Sequence, residues 1–126
     1  MSLTRDSVTQ WLAGYHDAWA TDDPDAIRAL FTEDASYSTG PFDAPWEGTD
    51  AIVAGWIENG DSSLNVEGDL QITAIDGDIA VLEGRTRYHD NPEGPNSEYA
   101  NVWFVRLTPE GRAREFREVW VERPTR

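Results

Sequence analysis

The first half of the chain carries apolar residues at helical spacing. Val8, Trp11, Tyr15 and Trp19 recur every three or four positions and form one stripe over about three helical turns. Thr4 precedes this stripe and is the predicted N-cap, because a Thr hydroxyl can accept a backbone N–H of the first turn. The pattern predicts a first helix that packs the stripe against a core.

Two shorter helices are predicted further along the first half. Asp23 and Pro24 signal the start of one helix, since Asp caps helices and Pro is tolerated at the first helical position. The residues expected to be buried on this helix are Ile27, Leu30 and Phe31. The other helix is expected to start near Gly48 or Thr49, to end at Asn59-Gly60, and to bury Ile52, Val53, Trp56 and Ile57.

The second half has the alternation and the turn residues of strands joined by hairpins. Asp76-Gly77 and the segment 108–111 (TPEG) are hairpin signals. The predicted strands are 64–75, 79–88, 99–107 and 115–122, after a short strand at 35–38. Helices followed by an antiparallel meander predict one α+β domain over residues 1–126, with the helices on one face of a curled sheet.

Composition narrows the choice of partners. The chain has 126 residues, 24 Asp and Glu against 10 Lys and Arg, and a net charge of −14. Such a surface repels nucleic acid and anionic membranes, so neither is expected as a partner. The first residues contain no apolar signal core, and no apolar run approaches the roughly 20 residues of a membrane span, which favours a cytoplasmic location. Without Cys or a nucleotide-binding motif, and with two His, no metal or other cofactor is expected, the remaining alternative being a site of carboxylates alone.

The aromatic content is the unusual feature of the composition. Six Trp residues are spread over the predicted helices and strands. A buried indole N–H needs a hydrogen-bond partner, and pockets for small organic molecules are lined by aromatic side chains with a few polar groups. The pattern indicates an aromatic ligand pocket, although a small domain can also use such residues simply to build its core.

Strand parity selects the polar side chains that could face this pocket. One face of the last two strands is expected to carry Asn101, Trp103 and Val105 together with Phe116, Glu118 and Trp120. The corresponding face of the preceding strand is expected to carry Glu83, Arg85, Arg87 and His89, although these could equally form a solvated face. Large aromatic neighbours would desolvate Glu118 and raise its pKa, which suits a general acid or base. Asn101 could hydrogen-bond Glu118. Arg85 could neutralise it, and the acid would then be structural or orient a substrate rather than act as a base.

Five segments, in this order, resemble a known superfamily. They are 15–19 (YHDAW), 23–27 (DPDAI), 30–35 (LFTEDA), 48–52 (GTDAI) and 115–120 (EFREVW). The first four resemble the opening of the nuclear transport factor 2-like superfamily, and the last resembles the closing strand of its SnoaL-like members. The resemblance implies three helices packed in the concave face of a strongly curved antiparallel sheet, a cystatin-like roll with a cone-shaped pocket, and usually a homodimer.

What the resemblance implies about activity depends on individual residues. The oxyanion-binding Tyr of ketosteroid isomerases corresponds to Tyr15, but their two functional Asp residues correspond to Thr39 and Trp103, which argues against that reaction. Scytalone dehydratases depend on paired His and Tyr residues, which Tyr15, His16 and His89 match only loosely. The Asp-Arg-Asp arrangement of epoxide hydrolases of this fold has no convincing counterpart. The acid–base side chains of SnoaL-type cyclases are compatible with this chain.

Together these features predict a SnoaL-like domain that binds a small apolar organic molecule. Tyr15 and Glu118 are the candidate catalytic residues for cofactor-free isomerase, dehydratase or cyclase chemistry. The alternative is a non-catalytic ligand-binding or dimerisation module. A third possibility is a pocket closed by its own side chains, which would make the domain purely structural. The candidate ligand-binding residues are Trp19, Tyr37, Trp56, Arg85, His89, Asn101, Trp103, Phe116 and Trp120.

Overall fold

The elements of the fold follow the predicted order, with helices first and a strand meander afterwards. The computed structural model describes residues 3–58, 66–88 and 97–124. The helices are α1 (Arg5–Thr21), α2 (Pro24–Arg28) and α3 (Thr49–Glu58). The strands are β1 (Phe31–Ser38), β2 (Trp46–Glu47), β3 (Val66–Asp76), β4 (Ile79–Tyr88), β5 (Ser97–Leu107) and β6 (Ala113–Glu122).

The first two helices begin at the predicted caps. The Thr4 hydroxyl accepts the backbone N–H of Ser7 at 3.1 Å, and the Ser7 hydroxyl accepts the backbone N–H of Thr4 in return. The Asp23 carboxylate accepts the backbone N–H of Asp25 at 3.0 Å, and Pro24 is the first residue of α2. Both helix N-termini are therefore set by capping interactions that can be predicted from the sequence.

Leu30 follows α2 in a turn and Phe31 lies in a strand, so neither is on the face of α2 and this part of the prediction is wrong, although both are buried. α2 ends at Arg28, and the chain joins the sheet two residues later, where the N–H of Ala113 donates to the carbonyl of Leu30 at 2.7 Å. β1 is accordingly longer than the short strand predicted at 35–38. The two-residue strand β2 was not predicted at all.

Ile57 is the second departure in the helical half. It is 46% exposed, whereas Ile52, Val53 and Trp56 are buried as predicted. Each helical residue advances by about 100°, which carries Ile57 past the edge of the buried stripe of α3. The predicted stop signal at Asn59-Gly60 lies outside the described residues. In the described part of the chain, no helix combines the length and the apolar character needed to cross a membrane.

The strands form one curved, unclosed sheet in the order β2-β1-β6-β5-β4-β3. All neighbours are antiparallel except β1 and β6, so the expected antiparallel sheet is wrong at this pair. The long connection from β1 through α3 and the meander allows β6 to return in the same direction. The predicted hairpin turns are confirmed, with Gly77 (φ 60°) and Gly111 (φ 82°) in the left-handed conformation that favours glycine.

The core lies between the helices and one face of the sheet, and this arrangement confirms the α+β class. Its largest fully buried side chains come from all three helices and from four strands, namely Val8, Ile27, Phe31, Ile52, Leu82, Val105 and Phe116. At one point the packing is especially close. The Trp46 ring stacks on Tyr37 (5.1 Å, 16°) and lies so near Gly55 of α3 that any side chain at Gly55 would overlap it.

Candidate functional site

β5 and β6 present the main candidate residues on one face, which we call the inner face. Trp103 pairs with Glu118 and Asn101 pairs with Trp120, and directly paired residues project to the same side of a sheet. Asn101 and Trp103 are each 7% exposed and Phe116 is fully buried, whereas Trp120 is 45% exposed. The alternation predicted for these two strands is therefore confirmed.

Of the two orientations left open for β4, the one that places Glu83, Arg85 and Arg87 on the face of Asn101 is wrong, and the alternative of a solvated face is confirmed. Leu82 pairs with Trp103 and Gly84 pairs with Asn101, so the even-numbered residues of β4 share the inner face. The odd-numbered residues project from the opposite side, which we call the outer face. A one-residue difference in register exchanges the two faces of a strand, and register depends on pairing that periodicity alone does not specify.

Arg85 and Arg87 consequently lie on the outer face. Arg85 is exposed there and does not neutralise Glu118 as the sequence suggested. Arg87 instead donates to the carboxylate of Glu98 at 3.0 Å. His89 lies outside the described residues, and its ligand contact stays a prediction.

Glu118 is held by hydrogen bonds from neutral donors on β5. Its Oε2 atom accepts the side-chain amide of Asn101 at 2.7 Å and the indole N–H of Trp103 at 2.9 Å. The Oδ1 atom of Asn101 in turn accepts the hydroxyl of Thr86 on β4 at 2.8 Å. Within the described residues, both hydrogen bonds to this carboxyl group reach Oε2 and none reaches Oε1.

The pKa of the Glu118 carboxyl is raised above its usual value. Burial among apolar groups is the largest cause, and the hydrogen bonds from Trp103 and Asn101, which favour the charged form, oppose it only in part. Glu118 therefore exchanges its proton closer to neutral pH than an exposed glutamate does. This is the property that a general acid or base requires.

A cluster of aromatic rings covers the inner face next to Glu118. Phe116 is nearly parallel to the rings of both Tyr37 (4.2 Å, 12°) and Tyr15 (5.9 Å, 9°). The Tyr15 ring also lies 4.6 Å from the Trp103 ring and 4.9 Å from the Trp56 ring, measured between centroids. Tyr15 and Glu118 thus contact the same indole, and the hydroxyl of Tyr15 lies 2.9 Å from that of Tyr37.

The indole N–H groups of four tryptophans have hydrogen-bond acceptors, as burial demands. Besides the Trp103 donor, these are Trp11 to the Leu30 carbonyl (3.0 Å), Trp56 to Asp22 (3.2 Å) and Trp120 to the Thr39 carbonyl (2.9 Å). Thr39 therefore contributes a backbone carbonyl to Trp120. Trp19 is partly buried and packs against the core.

His16 lies beside Tyr15 on α1. Burial lowers the pKa of its imidazole and outweighs the neighbouring Asp17, so His16 is mostly neutral at pH 7. Its ring meets the Tyr15 ring edge-on at 6.4 Å. Across 3–58, 66–88 and 97–124, no group of three or more His, Cys, Asp or Glu side chains is arranged to hold a metal ion.

Thr86 is the residue of this cluster that sequence reasoning missed. The orientation of β4 that makes Arg85 a candidate assigns Thr86 to the face away from Asn101, whereas the solvated-face alternative places Thr86 on the same face as Asn101. Leu82, an apolar residue four positions earlier on the same strand, could have marked the inward side, because residues separated by an even number share a face.

The three helices and the curved sheet are the architecture of the nuclear transport factor 2-like fold. The chain belongs to the SnoaL-like domain family, whose family model matches residues 12–116. No significant match is found among curated proteins.

Two solved structures are similar in fold. One is the epoxide hydrolase/cyclase-like enzyme SalBIII, described in pyran ring formation in the polyether salinomycin, with a TM-score of 0.72 and 23% identity over 90% of this chain and 89% of that chain. The other is an LEH-like epoxide hydrolase of M. tuberculosis, with a TM-score of 0.67 and 14% identity over 92% of this chain and 84% of that chain. At these identities the likeness shows the fold alone.

Proposed function

We propose that the protein binds a small, largely apolar organic molecule on the inner face, and that Glu118 exchanges a proton with it. The arrangement around this carboxyl group carries the proposal, since Oε2 holds the donors of Asn101 and Trp103 while burial raises the pKa. Oε1 is then the atom that meets the bound molecule. Membership of the SnoaL-like family and the enzyme structures with the same fold support a ligand-binding role.

The surroundings of Glu118 define the chemistry of the ligand. The cluster of packed rings beside Glu118, formed by Tyr15, Trp56, Trp103 and Phe116, favours a ligand with an apolar body, and Glu118 suits one hydroxyl, carbonyl or acidic C–H group on it. The net charge of −14 favours a neutral or cationic molecule over an anion. Arg85 does not change this preference, because it lies on the outer face.

The proposed reaction class is proton transfer without a cofactor, as in isomerisation, dehydration or cyclisation. Glu118 as base takes a proton from the ligand at Oε1 and, as the conjugate acid, returns it to another atom of the same ligand. Tyr15 is the second titratable group, positioned by its contact with Trp103. The epoxide hydrolase/cyclase-like description of one structural neighbour supports this class.

A second candidate function is binding without catalysis. It is favoured by the short distance between the Tyr15 and Tyr37 hydroxyls, 2.9 Å, which engages the Tyr15 phenol with another phenol instead of with Glu118. The two candidates differ in what Glu118→Gln does. It abolishes turnover of a substrate in the first, but weakens binding only modestly in the second.

Binding can be tested with naphthol and naphthoate, which share an aromatic body and differ in charge. We expect naphthol to shift the indole N–H resonances of Trp103 and Trp56, and naphthoate to bind much more weakly. Glu118→Gln should weaken naphthol binding roughly fivefold, the worth of one hydrogen bond. Glu98→Gln on the outer face is the matched control and should leave it unchanged. Equal affinity for the two compounds would contradict the proposal, and so would a naphthol affinity that is unchanged by Glu118→Gln.

We also propose that the protein forms a homodimer through the outer face of β5 and β6. Val119 and Val121 are 40% and 65% exposed there, beside their paired neighbours Val102 and Ala100, and form an apolar strip. Sedimentation velocity at micromolar concentration should give a dimer, and Val121→Asp should give a monomer. A wild-type monomer would refute the dimer without affecting the proposed ligand site.

A further inference from the structure

A chain of hydrogen bonds crosses three strands and ends at Glu118. The Thr86 hydroxyl on β4 donates to Oδ1 of Asn101 on β5 at 2.8 Å, and Nδ2 of Asn101 donates to Oε2 of Glu118 on β6 at 2.7 Å. Gly84 pairs with Asn101, which sets Thr86 beside the same amide on the inner face. The role proposed above for Glu118 uses only the last of these two bonds.

The amide of Asn101 has two ends with opposite chemistry. Its Oδ1 atom only accepts hydrogen bonds and its Nδ2 atom only donates them, so the orientation of the amide decides what Glu118 meets. With Nδ2 towards Glu118, the carboxylate gains a donor. With Oδ1 towards it, two acceptors would face each other, and only a protonated carboxyl could satisfy the contact.

We propose that Thr86 is a positioning residue for Glu118, acting through Asn101. The Thr86 hydroxyl fixes Oδ1 on the side of β4 and thereby directs Nδ2 to Glu118. Together with Trp103, this arrangement keeps Oε2 occupied and reserves Oε1 for the ligand. The inference deepens the proposed function and rests on it for the meaning of the open oxygen, but the hydrogen-bond chain can be tested without any ligand.

The arrangement of groups around Glu118 allows the effect of Thr86 on the pKa of Glu118 to be separated from the effects of other titratable side chains. The other titratable groups on the inner face near Glu118 include Glu122 on the same strand, Tyr99 on β5, Tyr15 on α1, and Tyr37 on β1, whose ring stacks on Phe116. Tyr99 is the cross-strand neighbour of Thr86, but the hydrogen bond of the Thr86 hydroxyl goes to Asn101. A change at Thr86 that moves the titration of Glu118 therefore reports on Asn101.

The test is an NMR titration of the Glu118 side-chain carboxyl carbon in variants of the full chain. Thr86→Val keeps the shape of the side chain and removes the donor, so the pKa of Glu118 should rise because the carboxylate loses a fixed N–H donor. Thr86→Ala should raise it as well, and Thr86→Ser, which keeps a hydroxyl, should restore the wild-type midpoint. The matched control is Thr73→Val on β3, whose hydroxyl donates to Glu83 at 2.6 Å on the other side of the sheet, and it should leave Glu118 unmoved.

The outcomes separate this inference from the proposed function. A Glu118 midpoint that is unchanged in both Thr86→Val and Thr86→Ala would overturn the positioning role, as would a Thr86→Ser variant that behaves like Thr86→Val. Neither result bears on whether Glu118 meets a ligand. Conversely, a Glu118 midpoint that rises as expected in the Thr86 variants, together with a naphthol affinity that is unchanged by Glu118→Gln, would support the positioning role and refute the proposed function.

Discussion

Carboxyl groups on the two faces of the sheet have pKa values shifted in opposite directions. On the inner face, Glu118 is partly buried, accepts hydrogen bonds from neutral N–H groups, and has a raised pKa. On the outer face, Glu98 accepts from Arg123 at 2.8 Å and from Arg87 at 3.0 Å, and these hydrogen bonds and charges lower its pKa.

Asp78, in the turn between β3 and β4, repeats the behaviour of Glu98. It accepts from Arg106 at 2.7 Å and from Arg114 at 2.8 Å, and its pKa is also lowered, chiefly by the hydrogen bond from Arg114. The carboxyl groups paired with charged arginines have lowered pKa values, whereas the carboxyl group buried beside neutral donors has a raised pKa. This difference shows that the number of acidic residues does not indicate the chemistry of the protein. Most of these residues belong to a solvated surface, and one lies among aromatic rings.

The largest expected difference between the two faces concerns their phenylalanines. Phe116→Ala on the inner face should lower the free energy of unfolding by about 3–5 kcal/mol, because a fully buried ring stacked on Tyr37 leaves a cavity. Phe104→Ala on the outer face, where Arg117 covers a half-buried ring at 4.7 Å, should cost at most about 2 kcal/mol. Urea denaturation measures both, and equal losses would remove the distinction between the packed inner face and the outer face.

The next effect concerns two indole donors on the inner face, one buried and one partly exposed. Trp103→Phe removes a donor to Glu118 and should cost about 1–3 kcal/mol at pH 7, with a smaller loss at acid pH where the carboxyl is protonated. Trp120→Phe removes a donor to the Thr39 carbonyl at a site that is 45% exposed, and should cost less than about 1 kcal/mol at any pH. Denaturant titrations at two pH values measure these changes. A Trp103→Phe loss that does not depend on pH would show that the hydrogen bond to Glu118 is not its cause.

The smallest effect is a pair of opposite slopes in stability against pH. The pKa of Glu118 is raised in the folded state. Its ionisation therefore lowers the free energy of unfolding as pH rises from the ordinary Glu pKa, about 4.3, to the higher pKa of the folded state. The wild type should therefore lose stability relative to Glu118→Gln over that interval. For Glu98, whose pKa is lowered, the wild type should gain stability relative to Glu98→Gln as pH rises from the folded pKa to the ordinary one. Thermal unfolding across acid pH tests the signs, and slopes of the same sign would contradict the contrast between the faces.

Features of this fold that depend on neighbouring residues could be predicted from the sequence. The Thr4 and Asp23 caps, the turns at Gly77 and Gly111, and the alternation of β5 all rest on interactions within a few positions. The position of Glu118 among aromatic rings also follows from alternation, because Phe116 and Trp120 share its face by parity alone.

Features that depend on pairing between distant segments could not be predicted. The facing of Arg85 and of Thr86 is set by the register of β4 against β5, and a shift of one residue exchanges them. Phe31 is apolar in either a helix or a strand, and its place in β1 is decided by pairing with Ala113 more than 80 positions away. The parallel course of β1 and β6 is likewise a property of the assembled sheet.

The most direct measurement is a carboxyl-carbon NMR titration that follows Glu118 and Glu98 in the same wild-type sample. We expect a Glu118 midpoint above the ordinary value of a glutamate and a Glu98 midpoint below it, since one carboxyl is buried beside neutral donors and the other is paired with two arginines. A Glu118 midpoint at or below the ordinary value would contradict the central claim that the inner face holds a carboxyl group suited to proton transfer.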